Sequence, residues 1–219
     1  MALSLLYRSV TFNVFTKLHD YDLLNAAIKN IPTNIHVRVW PKREIDPTKL
    51  CRPCEVFLLP EIELTWVQCT RYMLHLARVN GDEWIGHCHD DGTCSEEDFN
   101  VLLESRKTAP ANTYKISAIA AEDPEKRCCD VYVLYNVQKY WDLGGHDANF
   151  FLYWSDIDFH ARQLEAGNII HEVLTPSVTH IGSASMKLCS DIEKTIHHIN
   201  FLRDKNYFTL KHPNHVNLQ

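Results

Sequence analysis

Apolar and polar positions alternate along this chain with two periods, and the switches between them mark out the elements. Residues 5–12 read as a strand ending at Thr11-Phe12-Asn13. Asp20 can cap a helix with Leu23, Leu24, Ala27 and Ile28 on one face, and Pro32 closes it. Residues 35–40 alternate and stop at Pro41, a second strand. A loop rich in Pro, Lys and Arg leads to a third strand over 55–59. Residues 66–79 turn to helical spacing, with Cys69, Met73 and Leu76 along one side and Gly81 as the stop. Residues 83–88 return to a strand.

In the second half, Ser95 with Asp98 opens a helix with Phe99, Leu102 and Leu103 inward. Residues 115–120 and 131–135 are strands joined by a polar loop around Pro124, short enough for antiparallel pairing. Residues 158–166 are helical and Gly167 ends them, and 169–174 and 178–181 are short extended runs. Ser190 with Glu193 forms a capping box for a last helix, along which Ile192, Ile196, Ile199 and Leu202 share one face. From Lys211 the chain is polar and reads as a loose tail. The order predicts an α/β fold, a central mixed, mostly parallel sheet flanked by helices, with ligands at the carboxyl ends of the strands.

Composition narrows the function classes. The 219 residues suffice for one large domain with a substantial core. A net charge of −6 argues against a nucleic-acid partner, whose phosphates call for a basic surface. It suits a single nucleotide held through a divalent ion. No run approaches the roughly 18 apolar residues of a membrane span, and the first residues lack the apolar core of a leader. A cytoplasmic protein, or a soluble part of a longer one, is expected. Eight cysteines without a leader are expected to be reduced thiols. Cys88 and Cys94 with His87 and His89 offer a zinc set on paper. The Cys51-x-x-Cys54 pair runs into a strand rather than into a helix that would activate a thiol.

Three places carry candidate chemistry. His89-Asp90-Asp91 ends an apolar strand, which is how a fold sets oxygen ligands over a metal diphosphate; the same pair would also suit a solvated, capping turn. Asp156 and Asp158 open a helix after the bulky run Phe150-Phe151-Leu152-Tyr153-Trp154. Capping and an i,i+4 pair with Arg162 account for Asp158. Asp156 is placed where apolar neighbours could fit its carboxylate for general-base work. His180 sits at the end of a strand-like run, where a lone histidine is more often a surface or hydrogen-bonded residue than a metal ligand.

Together these pieces resemble the inverting nucleotide-sugar glycosyltransferases of the GT-A fold. The motifs are Gly144-Gly145-His146-Asp147, the segment from Phe151 to Phe159 with Ser155-Asp156-Ile157-Asp158, then Arg162, Gly167 and His180-Ile181-Gly182. More loosely, Thr11-Phe12-Asn13 resembles the family's Thr-Tyr-Asn nucleotide edge, and Asp91 the last Asp of its D-x-D. The resemblance covers roughly residues 5–187. It implies a single GT-A-like (Rossmann-like) domain, with residues 1–94 as the nucleotide-binding half, 95–205 as the acceptor half and 206–219 as a tail. It implies Mn²⁺ or Mg²⁺ as cofactor, a UDP-sugar as donor and a glycan hydroxyl as acceptor. Asp91 and His180 would bind the metal, Asp90 would face ribose or metal, His89 would stand at the nucleotide, where the family has a ribose or phosphate contact, Thr11, Phe12 and Asn13 would line the uridine pocket, and Asp156 would be the general base. Two departures stand out: His89 occupies the first D-x-D position, and Ser155 stands where the family often has Glu. A sugar-nucleotide pyrophosphorylase is the metal-dependent rival, but residues 11–17 hold no glycine for its phosphate loop. A non-catalytic carbohydrate-binding module, using 150–154 as an aromatic platform, is the other.

Overall fold

The computed structural model describes residues 10–16, 20–57, 65–120, 131–180 and 189–213. Among these, seven strands form one sheet in the order β3-β2-β1-β4-β7-β6-β8. They are β1 (Thr11–Thr16), β2 (His36–Pro41), β3 (Glu55–Val56), β4 (Trp84–His89), β6 (Thr113–Ile119), β7 (Tyr132–Asn136) and β8 (Ile169–Leu174). Only β7 runs against the others, pairing antiparallel with both β4 and β6. The mixed, mostly parallel sheet is the one the sequence predicts. Between β1 and β4 the connections turn from one side of the sheet to the other, so the crevice lies at the carboxyl ends of these two strands.

Local chemistry explains the helices. Asp20 caps α1 (Tyr21–Ile28) by accepting from the Asp22 N–H. Thr65 and Gln68 make a reciprocal capping box for α2 (Trp66–Asn80), and Gly81 ends it in the left-handed region. Ser95 caps α3 (Glu96–Glu104). Ser190 and Glu193 close the expected box on α6 (Asp191–Lys211). A short helix that the periodicity misses, α4 (Val137–Asp142), is capped by Asn136 and buries Val137 and Tyr140. Its signal was present, an Asn before apolar residues three apart. The helix carrying Asp156, α5 (Ser155–Glu165), begins three residues earlier than its apolar pattern suggests.

Two strands differ from expectation. The first occupies Thr11–Thr16, so Thr11-Phe12-Asn13 opens β1 instead of ending it; residues 5–9 lie outside the described residues. The third is described as Glu55–Val56, with 58–59 likewise outside. Pro41 belongs to β2, at its last position.

The core packs Phe12, Val14, Val37, Val39 and Cys88 against α1 and α3. Gly86 makes room for it: a Cβ there would lie 2.3 Å from the Phe12 ring. Gly86→Ala must push that ring onto Phe99, 4.6 Å away between centroids. The expected loss is about 1–3 kcal/mol of unfolding free energy, read as a lower denaturant midpoint with unchanged slope.

No helix among the described residues is long and apolar enough to cross a membrane.

Candidate active site

The carboxyl end of β4 delivers His89, Asp90 and Asp91 to the crevice. The chain turns there into β5 (Gly92–Thr93), which pairs antiparallel with β9 (Thr179–His180). The register sets His180 opposite Gly92, and so brings it beside Asp91 from far along the sequence. A side chain at Gly92 would place its Cβ 2.4 Å from Val131 Cγ1, so any larger residue there must displace Val131. His180 Nε2 lies 3.0 Å from Asp91 Oδ1, and His89 Nδ1 lies 3.9 Å from the same oxygen. One donor atom each from His89, Asp91 and His180 fall within 4.8 Å of one another, with Asp91 buried and both histidines half-buried.

These spacings fit a cation. With bonds of about 2.0–2.2 Å, neighbouring octahedral ligands stand about 3 Å apart and opposite ones a little over 4 Å. His180 and Asp91 match the first spacing, and His89 needs only a small adjustment. His89, expected at the nucleotide, thus lies within the metal-competent set together with the two expected ligands.

Asp90 faces the other way along the crevice. Its Oδ2 accepts a 2.6 Å hydrogen bond from Thr16 Oγ1, joining the ends of β4 and β1. Thr16 was not singled out from the sequence, because the strand boundary hid its place at the carboxyl edge. The expected uridine residues lie deeper. Phe12 and Asn13 are wholly buried. Asn13 donates to the Gly86 carbonyl and accepts from the Trp40 indole N–H, so its amide ties β1 to β4 and β2. Thr11 is half-buried at the amino end of β1, and Phe15 and Thr16 occupy the crevice end.

Asp156 sits half-buried in the first turn of α5, at the positive end of the helix dipole. The turn before it is held from behind. Asp204 of α6 is fully buried, and its carboxylate accepts from three consecutive backbone N–H groups, those of Phe151, Leu152 and Tyr153, at 2.9–3.1 Å. Next comes Trp154 with φ 64°, the one non-glycine residue with positive φ among those described. Such a conformation costs about 1–3 kcal/mol and persists only where its surroundings impose it. Here Phe208 packs against the Trp154 ring and Asp204 fixes the three residues before it.

Asp158 is structural, as its spacing implied. It is fully buried, pairs with Arg162 at 2.9 Å, and also meets Lys211 and His212. Lys211 and His212, expected to begin a loose tail, are therefore anchored. Arg162 further donates to the carbonyls of Leu143 and Gly145, while Arg71 reaches those of Gly144 and His146. The Gly-Gly-His-Asp motif is thus a braced turn. The apolar stripe of α6 also differs from expectation: Ile192, Ile196, Ile199 and Leu202 are exposed. The helix instead docks through the face bearing Phe201, Asp204 and Phe208.

Asp147 completes this clamp. Burial works to raise its carboxyl, but hydrogen bonds from Lys211, the Asn149 N–H and Tyr207, with the Lys211 charge, outweigh burial and hold it down at about 2. A lowered folded-state pKa stabilises the fold above the unfolded value and is lost as pH falls through the folded one. Acid between about 3.8 and about 2 should therefore loosen α6 from the Asp156 loop. The near-UV circular dichroism of the aromatic cluster reports it, and Asp147→Asn should flatten that part of the profile.

Trp66 joins the two sides. Its indole meets the His87 ring edge-on at 6.2 Å, and His87 in turn lies beside His89. It also packs against the cluster of Val67, Phe150 and Phe208, to which Trp154 and Ile157 belong. Among the described residues, the cysteines stand apart from this chemistry. Cys88 lies in the core, and burial pushes the Cys54 thiol up to about 11, unsuited to redox attack at neutral pH. Cys128, Cys129 and Ile181-Gly182 lie outside the described residues.

No protein-family model matches this sequence, and no curated protein does. Solved structures match by fold. Glucosyl-3-phosphoglycerate synthase from Mycobacterium tuberculosis, in complex with Mn²⁺, UDP and glucosyl-3-phosphoglycerate, aligns with a TM-score of 0.60 at 11% identity, over 83% of this chain and 75% of that one. The same protein with Mn²⁺, UDP-glucose and phosphoglyceric acid gives 0.58 at 10%, over 83% and 74%. With Mg²⁺ and UDP it gives 0.56 at 11%, again over 83% and 74%. At such identities the likeness is one of fold: this chain has the GT-A-like, Rossmann-like α/β architecture of these structures.

Proposed function

We propose that this protein is an inverting, metal-dependent glycosyltransferase that moves a hexose or deoxyhexose, of glucose or rhamnose type, from a UDP-sugar to a glycan hydroxyl. One observation carries the reading: His89, Asp91 and His180 converge at the topological switch point of a sheet whose fold neighbours hold Mn²⁺ and UDP. A divalent cation held by these residues would supply Lewis-acid neutralisation of the charge on a departing diphosphate.

The chain's own residues do the rest. Asp91 and His180 would hold the cation. The ends of β1 and β4, with Phe15, Thr16 and Asp90, form the wall for ribose and base. Asp156 accepts the proton of the acceptor hydroxyl as that oxygen attacks the anomeric carbon from the face opposite the leaving group. Asp204, Asp147 and the braced Gly-Gly turn hold Asp156 in register, which matters because misplacement by about 1 Å can lower a rate about 10²-fold. The division into a donor half over 1–94 and an acceptor half over 95–205 follows, with His180 crossing from the second to complete the first.

The motifs from Gly144 to Gly182 also resemble the N-terminal glycosyltransferase domain of a large chlorella-virus protein linked to capsid glycans, and from that likeness we infer a glycan acceptor rather than phosphoglycerate and a place in host cytoplasm. A thermal-shift panel of nucleotide sugars with and without Mn²⁺ tests the proposal, since any binder of the folded state raises its midpoint. UDP and one UDP-sugar should stabilise the protein only with the metal. Absence of any nucleotide effect would leave the carbohydrate-binding module as the better reading.

A further inference from the structure

We propose that His89 is a third protein ligand of the cation, and that the resulting set of two imidazoles and one carboxylate selects a first-row transition ion over Mg²⁺. The inference deepens the reading above and rests on it for the presence of a cation at this site.

The geometry separates ligation from simple hydrogen bonding. Both ring nitrogens face one oxygen, Oδ1 of Asp91. His180 Nε2, at 3.0 Å, would suit either arrangement. His89 Nδ1, at 3.9 Å, is beyond hydrogen-bond reach of that oxygen. It is still within the span of two ligands sharing one ion. The two rings stand edge to face with centroids 5.3 Å apart, so their nitrogens converge without stacking.

The second carboxylate of the turn stands outside this converging set. Asp90, the group that would make the site oxygen-rich, is bonded to Thr16 on the β1 side. The donors that converge within 4.8 Å of one another, from His89, His180 and Asp91, are N, N and O. Mg²⁺ is a hard ion that favours oxygen and is bound through carboxylates and phosphates. Imidazole nitrogen strengthens binding of transition ions, increasingly from Mn²⁺ through Co²⁺. Placing His where a second carboxylate would stand thus turns the site away from the most abundant competing cation. It leaves open positions for a diphosphate.

The test uses the full chain and the metal alone. Pulsed electron paramagnetic resonance of bound Mn²⁺ counts directly coordinated nitrogens, and titration with Mg²⁺ measures displacement. Wild type should show two nitrogen couplings, and His89→Asp one. The His89→Asp protein should release Mn²⁺ to Mg²⁺ at least about tenfold more readily, the scale on which even outer-shell partners of a metal act. His180→Asn, a second variant, should also leave one coupling. A single nitrogen in wild type, or unchanged Mg²⁺ competition in His89→Asp, overturns the proposal. If Mn²⁺-dependent UDP binding accompanies that single-nitrogen spectrum, the ligand assignment fails and the glycosyltransferase reading stands. Two nitrogens without UDP affinity would do the reverse.

Discussion

Asp156→Asn should lower kcat by about 10²–10⁴-fold, the usual worth of a general base, while leaving Mn²⁺-dependent UDP binding unchanged. The substitution keeps the shape of the side chain and removes its ability to take a proton. Asn at this first-turn position forfeits at most a favourable dipole interaction of about 0.3–1 kcal/mol, so the fold should survive. The donor side should not respond, because His89, Asp91 and His180 are assembled by β4, β5 and β9, whereas Asp156 is carried by α5. A KM for the nucleotide sugar close to wild type with a collapsed kcat is the signature of a group used only in the transition state. Near-normal turnover would remove Asp156 from the mechanism and direct attention to another group on the acceptor side.

How much of this was legible in the sequence differs from element to element. Caps were readable because they depend on two residues close in sequence: Asp20 on α1 and Ser190 with Glu193 on α6 formed as their spacing implied. The Asp158–Arg162 pair was readable for the same reason. Strand β1 was misplaced because its centre holds Asn13, a residue depleted from strands, while the Leu-Leu-Tyr stretch before it looked more strand-like. What makes a buried Asn acceptable is the Trp40 indole and the Gly86 carbonyl, and neither is foreseeable from local pattern.

The metal-competent cluster shows the same division. Its Asp91 end was visible as an acidic turn after an apolar strand. Its His180 end was suggested by family resemblance, since β5 and β9 are two residues each and carry no period from which pairing could be read. The place of His89 came from geometry alone, because a strand-end histidine has the same sequence signature whether it faces ribose, solvent or a metal. Helix α6 misled in the opposite direction. Its most regular apolar stripe is exposed, and the face that docks is defined by an aspartate no hydropathy scale would place inside.

That aspartate carries the other large effect. Asp204→Asn should destabilise the fold by about 3 kcal/mol, measured by chemical denaturation. The carboxylate takes three backbone N–H groups at 2.9–3.1 Å in a fully buried position. An amide replaces one acceptor oxygen with an NH₂ that must face donors, so at least one N–H of the 151–153 turn loses its partner. Hydrogen bonds to a charged group contribute about 1.5–3 kcal/mol, and a buried orphaned donor adds about 1–3 kcal/mol of penalty. The left-handed Trp154 then loses part of what enforces it. Folded molecules of the variant should bind UDP with Mn²⁺ normally, since β4, β5 and β9 do not touch this clamp through any of these bonds. Their kcat should fall all the same, because Asp156 follows Trp154 by two residues and inherits its looseness. A variant that lost stability but kept full turnover would make α6 a support for the fold only and would free Asp156 from dependence on it.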